Sequence, residues 1–421
     1  MPILLGIIAD DLSGATDLAN ALVRNGMRTV QLIGVPAQPV PEDVDAVVIA
    51  LKSRTIPAPE AIAQSLAGLR CLQAAGARQF FFKYCSTFDS TDQGNIGPVA
   101  DALVDALGTD FTVFCPAFPE NGRTVYRGYL FVGDVLLSES GMRDHPLTPM
   151  RDANLRRVLG RQTSHKVGLV PLQVVSRGVA AVRAEFARLR REGYRHAILD
   201  AVTDADLFTL GEALADLPLV TGGSGIALGL PDNFRRAGLL QATQAADWLP
   251  PVRGAAAVIS GSCSTATLAQ VANMRMTRPV FDVDPLALAA GEPVVARALD
   301  WAGALLDEEP VLISASAPPE RVRMVHDRLG RERAAELIEG ALAAIARGLV
   351  DRGVRRLIVA GGETSGAVVQ ALDVTGLRIG PQIDPGVPWT TSLGAPTLAL
   401  ALKSGNFGRE DFFMKAFTCL A

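Results

Sequence analysis

Residues 3–26 read ILLGIIADDLSGATDLANALVRNG, and the change of rhythm inside them decides the fold. Ile3 to Ala9 is an uninterrupted apolar run, Asp10-Asp11-Leu12-Ser13-Gly14 is a turn, and Ala15, Leu18, Ala19, Leu22 and Val23 then recur at helical spacing until Gly26. A strand that is apolar on both faces needs helices above and below it, which is the opening of a parallel α/β sheet. The run lacks a basic leader and meets Asp10 and Asp11 too soon to be a signal core or a membrane span, so the expected compartment is the cytoplasm.

The same alternation continues downstream. β-rich runs at Thr29 to Ile33, Ala46 to Leu51, Gln79 to Tyr84 and Phe111 to Cys115 are separated by helical stretches at residues 59–75 and 97–107. Further along come Lys166 to Val175, an amphipathic helix over residues 178–193, a strand at Ala197 to Asp200 and the run Leu217 to Gly225. The rhythm fades over residues 232–254, where Pro250, Pro251 and Gly254 gather, and the domain connection is expected there. It restarts with Ala256 to Ile259, a helix from Ala266, strands at residues 279–283, 311–314, 356–360 and 397–402, and a long helix over residues 332–350. The expected fold is α/β in two domains, residues 1–245 and 255–421. Each is a mainly parallel sheet flanked by helices, with the active site in the interdomain cleft.

Composition narrows the function. At 421 residues, with 49% hydrophobic, 20% charged and 5% aromatic residues, the chain can bury two cores without disulfides. A net charge of -4 and a pI near 5.7, with no Lys/Arg run, offer no field for a phosphodiester backbone, so nucleic acid and membrane are not expected partners. The five cysteines, Cys71, Cys85, Cys115, Cys263 and Cys419, form no CxxC pair and are read as buried thiols in a reducing compartment. The four histidines lack metal-ligand spacing, His196 beside a strand is read as structural, and no metal ligand is assigned. A homo-oligomer remains open.

In an open parallel sheet, ligands bind beyond the carboxyl ends of the strands. In the first domain those ends carry Asp10 and Asp11; Lys52, Ser53 and Arg54; Lys83 with Ser86, Thr87 and Asp89; and the stretch from Pro116 to Arg123. Cations, acids and hydroxyls on one rim suit a polyhydroxylated anion, a sugar acid, with Arg54, Lys83, Ser86 and Arg123 as its contacts and Asp10, Asp11 and Asp89 as catalytic candidates. Each has a structural reading as well. Asp10, Asp11 or Ser13 can cap the following helix, Arg54 and Lys83 can be ion pairs, and Asp89, Ser90 and Thr91 can start the next helix.

In the second domain the strand ends are the small, hydroxyl-rich turns at Ser260 to Ser264, Gly361 to Gly366 and Lys403 to Gly408. Glycine lets a phosphate approach the backbone and helix N-termini supply oriented N–H groups, so together these turns suit a nucleotide, although a lone Gly-Gly is more often a tight turn. There is no GxxxxGK[ST] loop and no full GxGxxG fingerprint, which removes the main support for a P-loop kinase or a common dinucleotide dehydrogenase.

Taken together, Ile8-Ala-Asp-Asp-Leu-Ser-Gly-Ala-Thr-Asp17, Lys83-Tyr-Cys-Ser-Thr-Phe-Asp-Ser-Thr91, Ser260-Gly-Ser-Cys-Ser264, Gly361-Gly-Glu-Thr-Ser365 and Lys403-Ser-Gly-Asn-Phe-Gly408 resemble the four-carbon acid sugar kinase family. Asn95 to Val99, Asn121 to Thr124, Gly128 to Met142 and Pro385 to Trp389 resemble those members that act on 3-oxo-tetronate. One departure is Ser13, where the family pattern has Thr; the hydroxyl is retained. The resemblance implies ATP-dependent phosphorylation of the C4 hydroxyl of 3-oxo-tetronate, with nucleotide contacts on Ser260, on Gly361, Gly362, Glu363 and Thr364, and on Gly405. Phosphoryl transfer calls for positioning and charge neutralisation, hence ATP with a divalent ion, Mg²⁺. On this reading Arg54 and Lys83 hold the substrate carboxylate while Asp10 or Asp11, ahead of Asp89, orients or deprotonates the hydroxyl. The alternatives are a kinase of D-threonate or D-erythronate, an NAD-dependent sugar-acid dehydrogenase, and a non-catalytic sugar-acid binder.

Overall fold

The computed structural model describes residues 3–145, 147–241, 245–306 and 309–420. The chain forms two compact units, Met1–Ala246 and Asp247–Ala421. Within the stretch expected to connect them, residues 232–236 instead belong to a helix of the first unit, and residues 242–244 lie outside the described residues.

The first unit contains β1 (Leu5–Ala9), α1 (Leu12–Arg24), β2 (Thr29–Ile33), β3 (Ala46–Ala50), α2 (Ala58–Ala74), β4 (Gln79–Lys83), α3 (Ile96–Ala106) and β5 (Thr112–Cys115). A small hairpin sheet follows, β6 (Arg123–Tyr126), β7 (Tyr129–Val132) and β8 (Val135–Leu136). Then come α4 (Leu155–Gly160), β9 (Lys166–Val170), α5 (Leu172–Val175), α6 (Val179–Arg191), β10 (Tyr194–Leu199), α7 (Asp204–Ala213), β11 (Leu219–Gly222) and α8 (Pro231–Arg236). The main sheet runs in the order β2-β3-β1-β4-β11-β5-β10-β9, and its pairs are parallel. Every residue of β1, β3 and β4 is buried, which explains their unbroken apolar runs. Asp11 caps α1, accepting from the Gly14 N–H at 3.1 Å, and Gly26 at φ 81° turns the chain out of it.

The hairpin sheet departs from the simple alternation. Its strands are short and half-exposed, so they carry little periodicity, and Arg127 and Gly128 take positive φ at the turn. That turn is held by Asp200, which accepts from the N–H groups of Arg127 (2.7 Å), Gly128 (2.8 Å) and Leu172 (3.0 Å). The run from Lys166 to Val175 likewise is not one strand: Pro171 ends β9 and opens α5.

The second unit contains β12 (Ala255–Ser260), α9 (Thr265–Arg275), β13 (Val280–Asp282), α10 (Pro285–Ala289), α11 (Val294–Gly303), β14 (Val311–Ser314), α12 (Pro319–Leu329) and α13 (Arg331–Asp351). It closes with β15 (Val354–Ala360), α14 (Gly362–Ala371), β16 (Gly376–Asp384), β17 (Val387–Ser392), β18 (Ala399–Lys403) and α15 (Phe412–Thr418). The order β13-β14-β12-β15-β18 is parallel, and β17 and β16 extend it antiparallel. Glycines and prolines at 376–388 hide that antiparallel pair from a periodicity count. Trp389, Phe412 and Phe413 fill the core beside it, with the Trp389 indole donating to the Ala416 carbonyl at 2.8 Å.

The expectation of buried thiols fails for part of the set. Cys115 is buried and Cys71 and Cys85 are half-buried, but Cys263 and Cys419 are exposed, since one lies in a turn and the other just past the last helix. His196 is buried and its Nε2 lies 2.6 Å from Asp101 Oδ1, the structural role expected of it.

Candidate active site

Register assembles the first site. Ala9 lies opposite Ala50 on one side and Lys83 on the other, so the three chains leave the sheet at one level. The Asp10 carbonyl accepts from the N–H groups of Ser53 (2.9 Å) and Arg54 (3.2 Å), fixing the loop after β3 against the turn after β1. Asn95, at the start of α3, ties the same loop from below: its amide donates to the carbonyls of Ser53 (2.7 Å), Arg54 (3.3 Å) and Ile56 (3.1 Å). The Arg54 fork then closes on Asp10 with two bonds of 2.9 Å and on Asp11 Oδ1 at 2.5 Å, leaving Nη1 3.8 Å from Asp89.

Both oxygens of Asp10 are committed to Arg54 and its side chain is 4% exposed, against 28% for Asp11. Burial pushes the Asp10 carboxyl up, with Arg54 pulling against it. For Asp11 burial acts in the same upward sense, but the charges of Arg54 and Lys83 and the Gly14 N–H outweigh it and hold the carboxyl below its ordinary value. Asp11 Oδ1 accepts from both Arg54 and the Gly14 N–H.

Lys83 ends β4 at 3% exposure, and its ammonium donates to the Tyr84 carbonyl at 2.7 Å. It fits because residue 14 is glycine: a Cβ there would lie 2.3 Å from Asp11 Oδ1 and 2.8 Å from Lys83 Nζ. Asp89 is brought back toward Arg54 by Phe88, which takes φ 51° and is held by its buried ring against Tyr84. Thr87 donates to Asp89 at 2.5 Å. Asp89 is not a helix cap, for α3 begins only after Asn95. Ser86 is half-buried in the same loop, and burial beside Asp89 pushes the Cys85 thiol up to about 11. Arg123 opens β6, where its guanidinium bonds the Asn121 carbonyl, and no ion pair joins it to Asp10, Asp11 or Asp89 among the described residues.

Asp17 and Ser224 were not singled out from the sequence. Asp17 sits one helical turn beyond Gly14 on α1 and accepts from the Ser224 hydroxyl at 2.6 Å. Burial pushes its carboxyl up, with Lys83 pulling the other way. The signal available was the i, i+3 spacing from Gly14, the residue that faces Lys83.

The second unit holds a cavity of about 600 Å³ beyond the ends of β12, β13 and β14. It is lined by the Gly261-Ser262-Cys263 turn, by Gly361 to Thr364, and by α12 and α13, where Val322, Val325, Ala334 and Ile338 supply apolar surface among charged side chains such as Arg321 and Arg331. Gly361 takes φ 130° and leaves α14 without a side-chain cap, so the first N–H groups of that helix are open to the cavity. The glycines are also required for packing: a Cβ on Gly261 would lie 2.2 Å from Thr364 Oγ1, and one on Gly405 would lie 2.5 Å from Ser262 Oγ. Ser260 is fully buried, its hydroxyl 2.7 Å from that of Ser316, and it reaches the cavity only through Ser316. The wall of α12 went unread in the sequence, because its few apolar residues, Val322, Met324, Val325 and Leu329, are scattered among charged ones.

A family profile described as "Sugar-binding N-terminal domain" matches residues 5–230, and one described as "Nucleotide-binding C-terminal domain" matches residues 257–413. This chain belongs to the four-carbon acid sugar kinase family. Among its relatives in the family, the 3-oxo-tetronate kinase of Burkholderia multivorans is 66% identical over 417 residues, covering 99% of this chain and 97% of that one. The 3-oxo-tetronate kinase of Cupriavidus necator is 63% identical, covering 98% of this chain and 96% of its own. A solved Salmonella typhimurium structure, described as a putative tRNA synthase, superposes with a TM-score of 0.92 at 50% identity over 98% of both chains. A Haemophilus influenzae structure gives 0.86 at 48% identity over 99% of this chain and 100% of that one.

Proposed function

We propose that this chain is an ATP-dependent kinase that phosphorylates the C4 hydroxyl of 3-oxo-tetronate, giving the 4-phosphate. The observation that carries the reading is full-length similarity to 3-oxo-tetronate kinases, up to 66% identical over 99% of the chain. The geometry supports it with one anion-handling rim in the sugar-binding unit and one phosphate-accepting cavity in the nucleotide-binding unit.

The triphosphate lies against Gly361, Gly362, Glu363 and Thr364, where the open N–H groups of α14 meet it, and the base lies between α12 and α13. Ser260 supports this through Ser316, and Gly405 by allowing the close approach of the Ser262 turn. Among the described residues no group of three or more His, Cys, Asp or Glu side chains is placed to hold a metal. A divalent ion, Mg²⁺, bound on the nucleotide's phosphates would neutralise their charge there.

In the sugar-binding unit Asp10 is the anchor, because both its oxygens are bound to Arg54. Asp11 is the group that receives the C4 hydroxyl, since only one of its oxygens is bound to Arg54 and the acid is held ionised. A weak base suffices when the transition state is loose and the proton leaves late. Lys83 and the Nη1 edge of Arg54 meet the substrate carboxylate, with Ser86 and Arg123 as hydroxyl and cation further out and Asp89 aligning Arg54. The reaction runs in the cytoplasm on a small-molecule acid; no described helix is long and apolar enough to cross a membrane.

The test is ADP release with ATP, Mg²⁺ and, separately, 3-oxo-tetronate, D-threonate, D-erythronate or no acid. Release with the oxo acid is expected, and Asp11→Asn should lower kcat by about 10²-fold or more. Release with D-threonate or D-erythronate alone would replace the substrate, and none with any acid would remove the kinase.

A further inference from the structure

Lys403, the last residue of β18, is an anomaly in the nucleotide-binding unit. It is 1% exposed, and among the described residues no carboxylate lies within 4.0 Å of it. Its ammonium donates only to neutral oxygens, Thr267 Oγ1 at 2.9 Å and the Gly405 carbonyl at 3.1 Å. A buried cation with no counter-charge is costly, and proteins retain one where an anion comes to it.

Its surroundings state which anion. Lys403 lies opposite Ala360 in the sheet, and its carbonyl accepts from the Gly361 N–H at 2.9 Å, beside the wall of the cavity. The Gly405 carbonyl also accepts from Ser264 Oγ (2.6 Å) and Thr267 Oγ1 (2.8 Å), which pins the turn after β18 against the turn after β12. Two helix N-termini, of α9 and of the uncapped α14, open beside these turns and add positive potential. Charged groups on the elements packed around Lys403 do not offset it. Glu363 is exposed in the first turn of α14, Arg275 closes α9 in a pair with Asp282, Arg355 and Arg356 are at the far end of β15, and β17 has none.

We propose that Lys403 is a positioning residue of the nucleotide site, the counter-charge to the bound polyphosphate, coupled to it through the Thr267–Gly405–Ser264 network. The inference rests on the nucleotide reading of this unit. Burial alone lowers the ammonium to about 8, so near that pH the free protein is partly deprotonated, and an arriving polyphosphate draws a proton back. Binding therefore takes up a fraction of a proton per ADP near pH 8 and more at pH 9.

The experiment is calorimetric titration of ADP into the full-length protein at pH 8 and pH 9, in paired buffers of different ionisation enthalpy. Wild type should show proton uptake that grows between the two pH values. Lys403→Met should lose it, bind ADP at least ~10-fold more weakly and raise the KM for ATP by a similar factor, with kcat changed less. Its unliganded melting temperature should be unchanged or higher, because a buried cation has been removed. Buffer-independent binding by wild type would overturn the proposal whether or not the variant folds. So would a variant that melts lower yet binds ADP normally, which would make Lys403 a packing residue. Absence of ADP binding by wild type would overturn both this inference and the nucleotide reading.

Discussion

Replacing Gly14 with alanine isolates the geometry of the sugar-acid site from its stability. On propensity alone the change favours the helix by about 1 kcal/mol. The structure sets two costs against that. The new Cβ would stand 2.3 Å from Asp11 Oδ1 and 2.8 Å from Lys83 Nζ, so both groups must retreat, Asp11 by about 1 Å to reach ordinary contact. In retreating, Asp11 loses the cap bond from the Gly14 N–H, about 1 kcal/mol. The Arg54 bond to the same oxygen is disturbed as well, and the propensity gain offsets part of the sum, so the net cost should be about 1 kcal/mol and the melting temperature should fall by no more than about 4 °C. Activity has no such compensation. On the roles proposed for Asp11 and Lys83, a shift of about 1 Å in the carboxylate together with movement of the ammonium should lower kcat/KM by roughly 10²-fold. Coupled ADP-release kinetics and a thermal melt on the same preparation measure the two effects. A Gly14→Ala enzyme with kcat/KM within threefold of wild type would refute the claim that Gly14 sets the spacing of Asp11 and Lys83.

Arg54→Met leaves the buried Asp10 without its fork and should cost about 3–5 kcal/mol at pH 7, read as the urea midpoint. With Arg54 gone the Asp10 and Asp11 carboxyls rise, and a raised carboxyl weakens the fold most when it is forced to ionise. The deficit should therefore shrink as the pH falls to about 5, and an equal deficit at both pH values would count against the ion-pair account. Cys263 is exposed in the lining of the nucleotide cavity and Cys419 is exposed elsewhere, so ADP should slow alkylation of Cys263 by at least about tenfold and leave Cys419 unaffected. Equal protection of both thiols, or of neither, would place the nucleotide somewhere else.

How far the chain could be read before folding follows from the range of the forces involved. Buried strands such as Ala46–Ala50 and Gln79–Lys83 are legible because covering both faces demands an unbroken apolar run, and that demand is local. The hairpin sheet at 123–136 and the antiparallel strands at 376–392 are not legible in this way, since turns with positive φ and half-exposed strands leave no period to count. Site chemistry divides similarly. That Asp10, Asp11, Arg54, Lys83 and Asp89 gather beyond strand ends follows from their positions in the chain.

The sequence by itself determined the class, the strand-end clusters and the absence of a P-loop, because these depend on hydrophobic period and on neighbours in the chain. Only the tertiary structure decided which carboxylate has both oxygens bound to Arg54 and which has one. Asp10 and Asp11 are adjacent in sequence, and an arginine 44 residues away from the first of them takes both oxygens of one and a single oxygen of the other. It alone also brought Ser224 to Asp17 across 207 residues, and buried Lys403 beyond the reach of any described carboxylate. Parallel register brings distant loops to one level, and the charges that meet there depend on three-dimensional distance rather than on order along the chain.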